Sequence, residues 1–464
     1  MSTRTDRKAV TAGLLAALFV GALDATVVST AMPRIEQELG GLSLMSWVFS
    51  VYTLTTCLAT PIFGKLADLF GRKIVFAIGL VLFAVGSVLC GAAGSMVALI
   101  LFRAVQGIGA GALNPVTFTI IGDLYPGEER GRMQGLFASV WSVAGLLGPL
   151  VGGYFVDQVS WRWIFFVNVP VGVVSFLLVC GFLHERFEKK RNAVDYAGAV
   201  TLTVGLTALL FALLSGGETY AWNSPQLVLL FAVTAAAGML FVRIERKAPE
   251  PLIPLSLFRS RVMNICNALG FLGFCISTGV TIYAPLWIQS LMDKSATVSG
   301  LIVMPMSIFW PIASNLAGRL MYRLGSKTIV TTGSIVLIAG TAWLLALRLD
   351  SPTVYWTGIL SVIGFGMGCL TTPATVLIQS AVGWGLRGVA TSTNALMRTL
   401  GQTVGVAVFG TLFNSFLVTH AKPELARGMH AVFIVLFAIA AATLIVVAML
   451  PAHRRIMEQQ AQET

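Results

Sequence analysis

Fourteen apolar stretches, each long enough to cross a bilayer, run through this chain of 464 residues. They lie near 10–32, 46–66, 74–93, 96–119, 136–156, 163–183, 196–215, 226–242, 262–288, 297–317, 328–347, 353–382, 389–418 and 431–450. A spanning helix needs roughly 20 such residues. Within hydrocarbon every backbone N–H and C=O must be paired, which leaves only helices and closed barrels. Stretches of this length predict an all-α polytopic membrane protein with fourteen transmembrane helices. Charged residues make up 11% of the chain, against about 25% in a soluble domain, so a water-solvated globule is excluded.

The net charge of +11 raises the possibility of a nucleic-acid partner, but its distribution argues against one. With the N-terminus placed inside, 23 of the 31 Lys and Arg residues fall in cytoplasmic segments and 6 in outside loops. That asymmetry is the one that orients membrane helices. It predicts a multi-pass protein of the cytoplasmic membrane, surrounded by lipid, with both termini on the cytoplasmic side.

The remaining two arginines, Arg103 and Arg398, lie within spans, and Asp24 is the single acidic residue deep in one. A carboxylate at the bilayer centre costs about 2.5–3.5 kcal/mol, so it persists chiefly where it has a task. Asp24 precedes Pro33 by nine residues and Arg103 follows Met96 by seven. At a 1.5 Å rise these positions are roughly 13 and 10 Å below the outer surface. Opposite charges at matched depth can meet, and moving the arginine or expelling water would change the acid's proton affinity. Asp24 and Arg103 are therefore the expected proton-coupling pair; a static ion pair joining two helices is the alternative. All six cysteines lie within spans without metal-ligand spacing, and the four histidines lie at loops and ends. Neither a metal, a cofactor nor an embedded enzyme is expected.

An internal repeat divides the chain. GKLADLFGRK at 64–73 returns, degraded, as GRLMYRLGSK at 318–327, a shift of 254. GIGAGALNP at 107–115 returns as GFGMGCLTTP at 364–373, and Arg130-Gly131 as Arg387-Gly388, both shifted by 257. Two six-helix bundles, 1–183 and 262–464 with its tail, are expected around an inserted helix pair in 184–261. Repeat-built bundles rocking about a midplane site are a common transporter architecture.

These motifs resemble the major facilitator superfamily, and within it the fourteen-span drug/proton antiporters, over almost the whole chain. GKLADLFGRK resembles the signature loop between the second and third spans, RAVQGIGAG at 103–111 the fourth-span motif, and LDATVVSTAMP the first-span motif, with Ser29 where Asn is usual. GLLGPLVGG at 145–153 resembles the exporters' fifth-span motif, formed by Gly145, Gly148, Pro149, Gly152 and Gly153. WRWIFFVNVP at 161–170 and NALMRTLGQTVGVA at 394–407 resemble the fourteen-span branch in particular.

The resemblance implies a monomeric, proton-coupled exporter of small amphipathic compounds, with export of one specific metabolite, lipid or siderophore as the alternative. It implies a conformational latch of Asp68, Arg72, Asp123 and Arg387, in which the start of the span near Gly388 approaches Asp68. Topology alone would also account for the basic residues of that loop. The glycines at 145–153, spaced by three and four, are expected to line one helix face and admit a neighbour closely. Gln106, Trp141, Met304, Phe365, Asn394 and Arg398 are candidates for the substrate cavity. No P-loop is present, since GEERGR lacks the Gly-Lys-Ser/Thr ending, so ATP hydrolysis is not expected.

Overall fold

A computed structural model describes residues 5–451 apart from 41–43, 186–194, 217–219, 295, 350 and 417–421. The order is α1 (Arg7–Leu39), α2 (Met45–Phe70), α3 (Arg72–Gly91), α4 (Met96–Leu124), α5 (Gly127–Gln158), α6 (Trp163–Phe166), α7 (Asn168–Phe182), α8 (Tyr196–Ser215) and α9 (Pro225–Glu245). Then follow α10 (Arg261–Ser290), α11 (Ala296–Leu324), α12 (Ser326–Leu345), α13 (Thr353–Ser380), α14 (Arg387–Asn414) and α15 (Lys422–Ala448). Thirteen spans among the described residues are long and apolar enough to cross a membrane. The stretch near 136–156, expected to be the fourteenth, lies within the long helix α5, and α6 and α7 together make one of the thirteen.

Hydropathy and helix length part company at several ends. The apolar run expected from 136 belongs to a helix that starts at Gly127, and that expected from 431 to one that starts at Lys422. Hydropathy marks where the chain enters hydrocarbon, whereas a helix continues into the interface, where water can pair its free end groups. Asp6 caps α1 by accepting from the Lys8 and Ala9 N–H groups, and Ser95 caps α4 through Ala98 N–H. The turns after α2 and α11 use Gly71 (φ 94°) and Gly325 (φ 86°), a backbone region that glycine enters without a Cβ penalty.

In the first bundle α1 packs on α5 and α7, and α4 lies between α2 and α3. In the second, α13 packs on α11 and α12, and α10 on α14 and α15. The bundles meet where α2 packs on α14 and α5 on α11. The helices α8 and α9 pair with each other, and α8 reaches both α2 and α14. Large apolar side chains such as Leu101, Leu177, Leu229 and Ile445 are more than 60% exposed, as lipid-facing residues are. The end of the molecule that carries the start of α1 and the α2–α3 turn is called the basic face below.

Candidate functional site

Asp24, Arg103 and Gln106 form one buried cluster, each no more than 1% exposed. Arg103 Nη1 donates to Asp24 Oδ2 at 2.6 Å and to Gln106 Oε1 at 2.8 Å. Gln106 Nε2 donates to Asp24 Oδ1 at 2.8 Å and to Ser87 Oγ at 2.7 Å. Asn168 Nδ2 reaches the same two acceptors at 3.2 and 3.1 Å. The guanidinium lies 3.9 Å from the centre of the Tyr52 ring, and its Nε approaches the Val48 carbonyl at 3.5 Å. Five helices, α1, α2, α3, α4 and α7, thus supply one carboxylate with three donors and one arginine with a carboxylate, an amide, a carbonyl and a ring. The cluster carries one balanced charge pair, which is how a buried charge is tolerated. The Oδ1 atom of Asn168 is buried without a hydrogen-bond partner.

At the basic face the four latch candidates fall in a second network that joins the bundles. Asp68 Oδ1 accepts from Gly388 N–H at 3.1 Å and Oδ2 from Val389 N–H at 2.9 Å, so the carboxylate caps the first turn of α14. Free N–H groups and the positive end of the helix dipole favour an anion there. Arg72 Nη2 donates to Asp68 Oδ1 at 2.9 Å and to the Trp384 carbonyl at 2.7 Å, with its guanidinium 3.6 Å from the Trp384 ring centre. Asp123 bridges the rest, 3.3 Å from Arg72 Nε and accepting from Arg387 Nη1 at 2.7 Å. The bundles are also joined by Arg130 to Ser380 at 3.2 Å, Gln134 to Gln379 at 3.1 Å and Asn315 to Ser139 at 3.1 Å.

Both linkers of the inserted helix pair reach this loop. Glu185 accepts from the N–H groups of Arg72 and Lys73 at 3.0 and 3.1 Å, which caps α3. Glu250 accepts from Lys65 Nζ at 3.0 Å.

The cavity candidates do not come together. Gln106 belongs to the Asp24 cluster, because its three-residue spacing from Arg103 puts both on one face of α4. Asn394 is buried and donates to the Cys266 carbonyl and Asn267 Oδ1, both at 3.2 Å, so it ties α14 to α10. Phe365 packs beside the apolar cluster of Met321, Ile329 and Cys369, Met304 is half-buried on α11, and Trp141 is 42% exposed on α5. Arg398 donates to Thr375 Oγ1 at 2.6 Å, below the Phe274 ring at 5.3 Å. Two open grooves, of about 460 and 380 Å³, contain none of these six. One is lined by Ser139, Pro311, Ile312, Asn315, Leu316 and Arg319.

The glycine motif of α5 also divides. A Cβ on Gly148 would run into Thr26 of α1, so that position needs glycine for helix approach. Gly145 and Gly153 face open space, and Gly152 is buried. The Pro149 side chain lies outside the described residues. Sequence reasoning passed over Ser87, Tyr52 and Asn168. Asn168 carried a usable signal, as an amide side chain inside an apolar run.

Two helical bundles that meet along two helix pairs, with a charged cluster enclosed in one and an ion-paired seam at one face, define a membrane transporter. The Major Facilitator Superfamily signature matches residues 14–406, and the chain belongs to that superfamily. It is 38% identical over 412 residues to the multidrug transporter protein MdtP of Bacillus subtilis, covering 89% of this chain and 76% of that one. It is equally 38% identical over 416 residues to multidrug resistance protein 3 of the same organism, covering 89% and 81%. Two solved structures share the fold. The human organic anion transporter MFSD10 (TETRAN) has a TM-score of 0.71 at 15% identity, covering 96% of this chain and all of that one. The proton:xylose symporter XylE has 0.66 at 16%, covering 96% of each.

Proposed function

We propose that this transporter exports small amphipathic compounds in exchange for protons by alternating access, with Asp24 as the proton-carrying group. The names of its multidrug relatives support amphipathic cargo. The observation that carries the coupling is the enclosed Asp24–Arg103 pair with its surplus of partners. When Asp24 takes a proton, Arg103 still holds Gln106 Oε1, the Val48 carbonyl and the Tyr52 ring, so the loss of the ion pair leaves no bare guanidinium. The new O–H needs an acceptor, and a turn of the Asn168 amide brings its unpaired Oδ1 into use. One proton yields about 1.36 kcal/mol per pH unit and ~2.3 kcal/mol per 100 mV, enough for export without ATP.

With the basic face as the cytoplasmic one, the seam of Asp68, Arg72, Asp123 and Arg387 closes the interior side of an outward-facing carrier. Residues 1–183 and 262–464 are the two moving bodies, the chain works as a monomer, and 184–261 is an insertion. The seam is an inter-bundle contact with two arrangements, made in one state and broken in the other.

Everted membrane vesicles given lipophilic dyes on the outside test the coupling, since export then appears as uptake into the lumen. Asp24→Asn should lose transport driven by a pH gradient while reaching the membrane in normal amount. Arg103→Ala should shift the pH profile or stop turnover. Gradient-driven uptake unchanged in Asp24→Asn would overturn the assignment.

A further inference from the structure

Arg398 is the deep charge that has no counter-ion among the described residues. The spans contain two deep arginines and one deep acid, Asp24. That acid is 1% exposed, paired with Arg103 and enclosed in the other bundle. Among the described residues no carboxylate lies within ion-pair distance of Arg398. A guanidinium presents five N–H donors in a planar fork suited to two-oxygen acceptors. One neutral partner, Thr375 Oγ1 at 2.6 Å, is satisfied, while Nε is buried without any. An uncompensated charge of this kind inside a membrane bundle is costly and is the mark of a ligand site.

The surroundings match an amphipathic acid rather than a cation. Arg398 (α14) is flanked by Thr375 of α13 and by Phe274 of α10, whose ring lies 5.3 Å from the guanidinium carbon. Trp310 of α11 stands edge-on to Phe274 at 6.0 Å, and its N–H is taken up by Thr371 Oγ1 at 3.3 Å. Aromatic wall and free donors are thus contiguous across four helices, and the side chains of Arg398, Phe274 and Trp310 are all half-buried rather than sealed. Aromatic rings alone could also hold a lipophilic cation, but the positive Arg398 guanidinium beside Phe274 repels one and attracts an anion.

We propose that Arg398 is a head-group subsite for cargo, selecting amphipathic aromatic anions such as carboxylates and sulfonates, with Phe274 and Trp310 against the aromatic body. This rests on the export reading above, so binding and transport are measured separately.

Two probes share one apolar body, 2-naphthalenesulfonate and 2-naphthyltrimethylammonium. Equilibrium dialysis against the purified full-length protein in neutral detergent reads the subsite. The sulfonate should bind at least about 10-fold more tightly than the ammonium. Arg398→Gln should abolish that preference, because losing a hydrogen bond to a charged group costs about 10-fold or more in affinity. Arg398→Lys should fall between, keeping charge but not the fork. Thermal unfolding of each variant separates loss of the subsite from loss of the fold, and Phe274→Leu, which spares the charge, should weaken the sulfonate several-fold. Equal binding of both probes, or sulfonate binding unchanged in Arg398→Gln, overturns the subsite. Uptake of either probe into everted vesicles with and without a pH gradient reads the export function. Sulfonate bound but never moved by the gradient would count against proton-coupled export and leave the subsite standing.

Discussion

The signature loop and its degraded copy make the same contact with opposite bundles, yet among the described residues only the first contact is ion-paired. In the first, Gly64 of α2 lies against Gly388 at the start of α14. In the second, Gly318 of α11 lies against Gly131 near the start of α5. The turns that follow use Gly71 and Gly325, 254 positions apart, at φ 94° and 86°. The side chains diverge on this shared backbone. Asp68 and Arg72 correspond to Tyr322 and Ser326, and Asp123 corresponds to Ser380, while Arg387 corresponds to Arg130. Arg387 therefore meets a carboxylate at 2.7 Å, and Arg130 a hydroxyl at 3.2 Å. A close backbone approach needs only glycine. A contact that must break and remake gains from charge-assisted hydrogen bonds, which are strong when formed and readily hydrated when open. On the proposed alternating-access reading, the comparison favours α2–α14 as the switching seam and α5–α11 as its quieter counterpart.

The largest effects should come from filling the shared backbone contacts, where the halves should behave alike. A Cβ on Gly388 would meet the Gly64 carbonyl, and one on Gly131 the Gly318 carbonyl. Gly388→Ala and Gly131→Ala should each slow dye efflux by about 10-fold or more, as overpacking by 1–3 kcal/mol implies. Both should also raise the reactivity of cysteines introduced at the basic face. A normal rate in either variant would remove that contact from the closed state.

Charge deletions should split the halves. Asp68→Asn loses charge-assisted bonds worth about 1.5–3 kcal/mol in the closed seam and should bias the carrier toward opening at the basic face, slowing transport roughly 10-fold. Substrate affinity should change little. Tyr322→Phe, at the matching position, should stay within about 2-fold, since few surface-proximal neutral changes exceed 0.5 kcal/mol. Equal effects of the two would erase the distinction between switching and quiet contacts. A smaller asymmetry is expected one shell out. Asp123→Asn should reduce the rate about 3-fold, and Ser380→Ala less, the difference between a charged and a neutral hydrogen bond to arginine. Transport assays at matched expression would read both.

The smallest effect concerns the inserted pair, whose linkers reach the first copy of the loop through Glu185 and Glu250. Glu250→Gln, which frees Lys65 from a partly exposed ion pair, should alter the transport rate by about 2-fold at most. No change in rate on removing both Glu250 and Lys65 would show the linker contact to be passive.

Much of this was legible from the chain. The spans and their bundling follow from hydropathy and the repeat, matched depth allowed Asp24 to meet Arg103, and the superfamily resemblance implied the approach of Gly388 to Asp68. The cavity candidates were not legible in the same way. Gln106 and Asn394 were expected in a cavity because they are polar residues within spans, yet one binds Asp24 and the other Asn267. Spacing held the clue for Gln106, three residues from Arg103, but nothing local points Asn168 or Ser87 at that carboxylate.

The sequence by itself determined which segments leave water and which rare ionisable groups enter the membrane, because the cost of burying a charge or an unpaired backbone group is local. Only the tertiary structure decided which polar atom meets which. A lipid-facing and a core-facing leucine are chemically the same, so an apolar span carries little record of its rotation. The enclosure of Asp24, the one-sided charge of the seam and the solitude of Arg398 come from how helices far apart in the chain turn their few polar side chains toward one another.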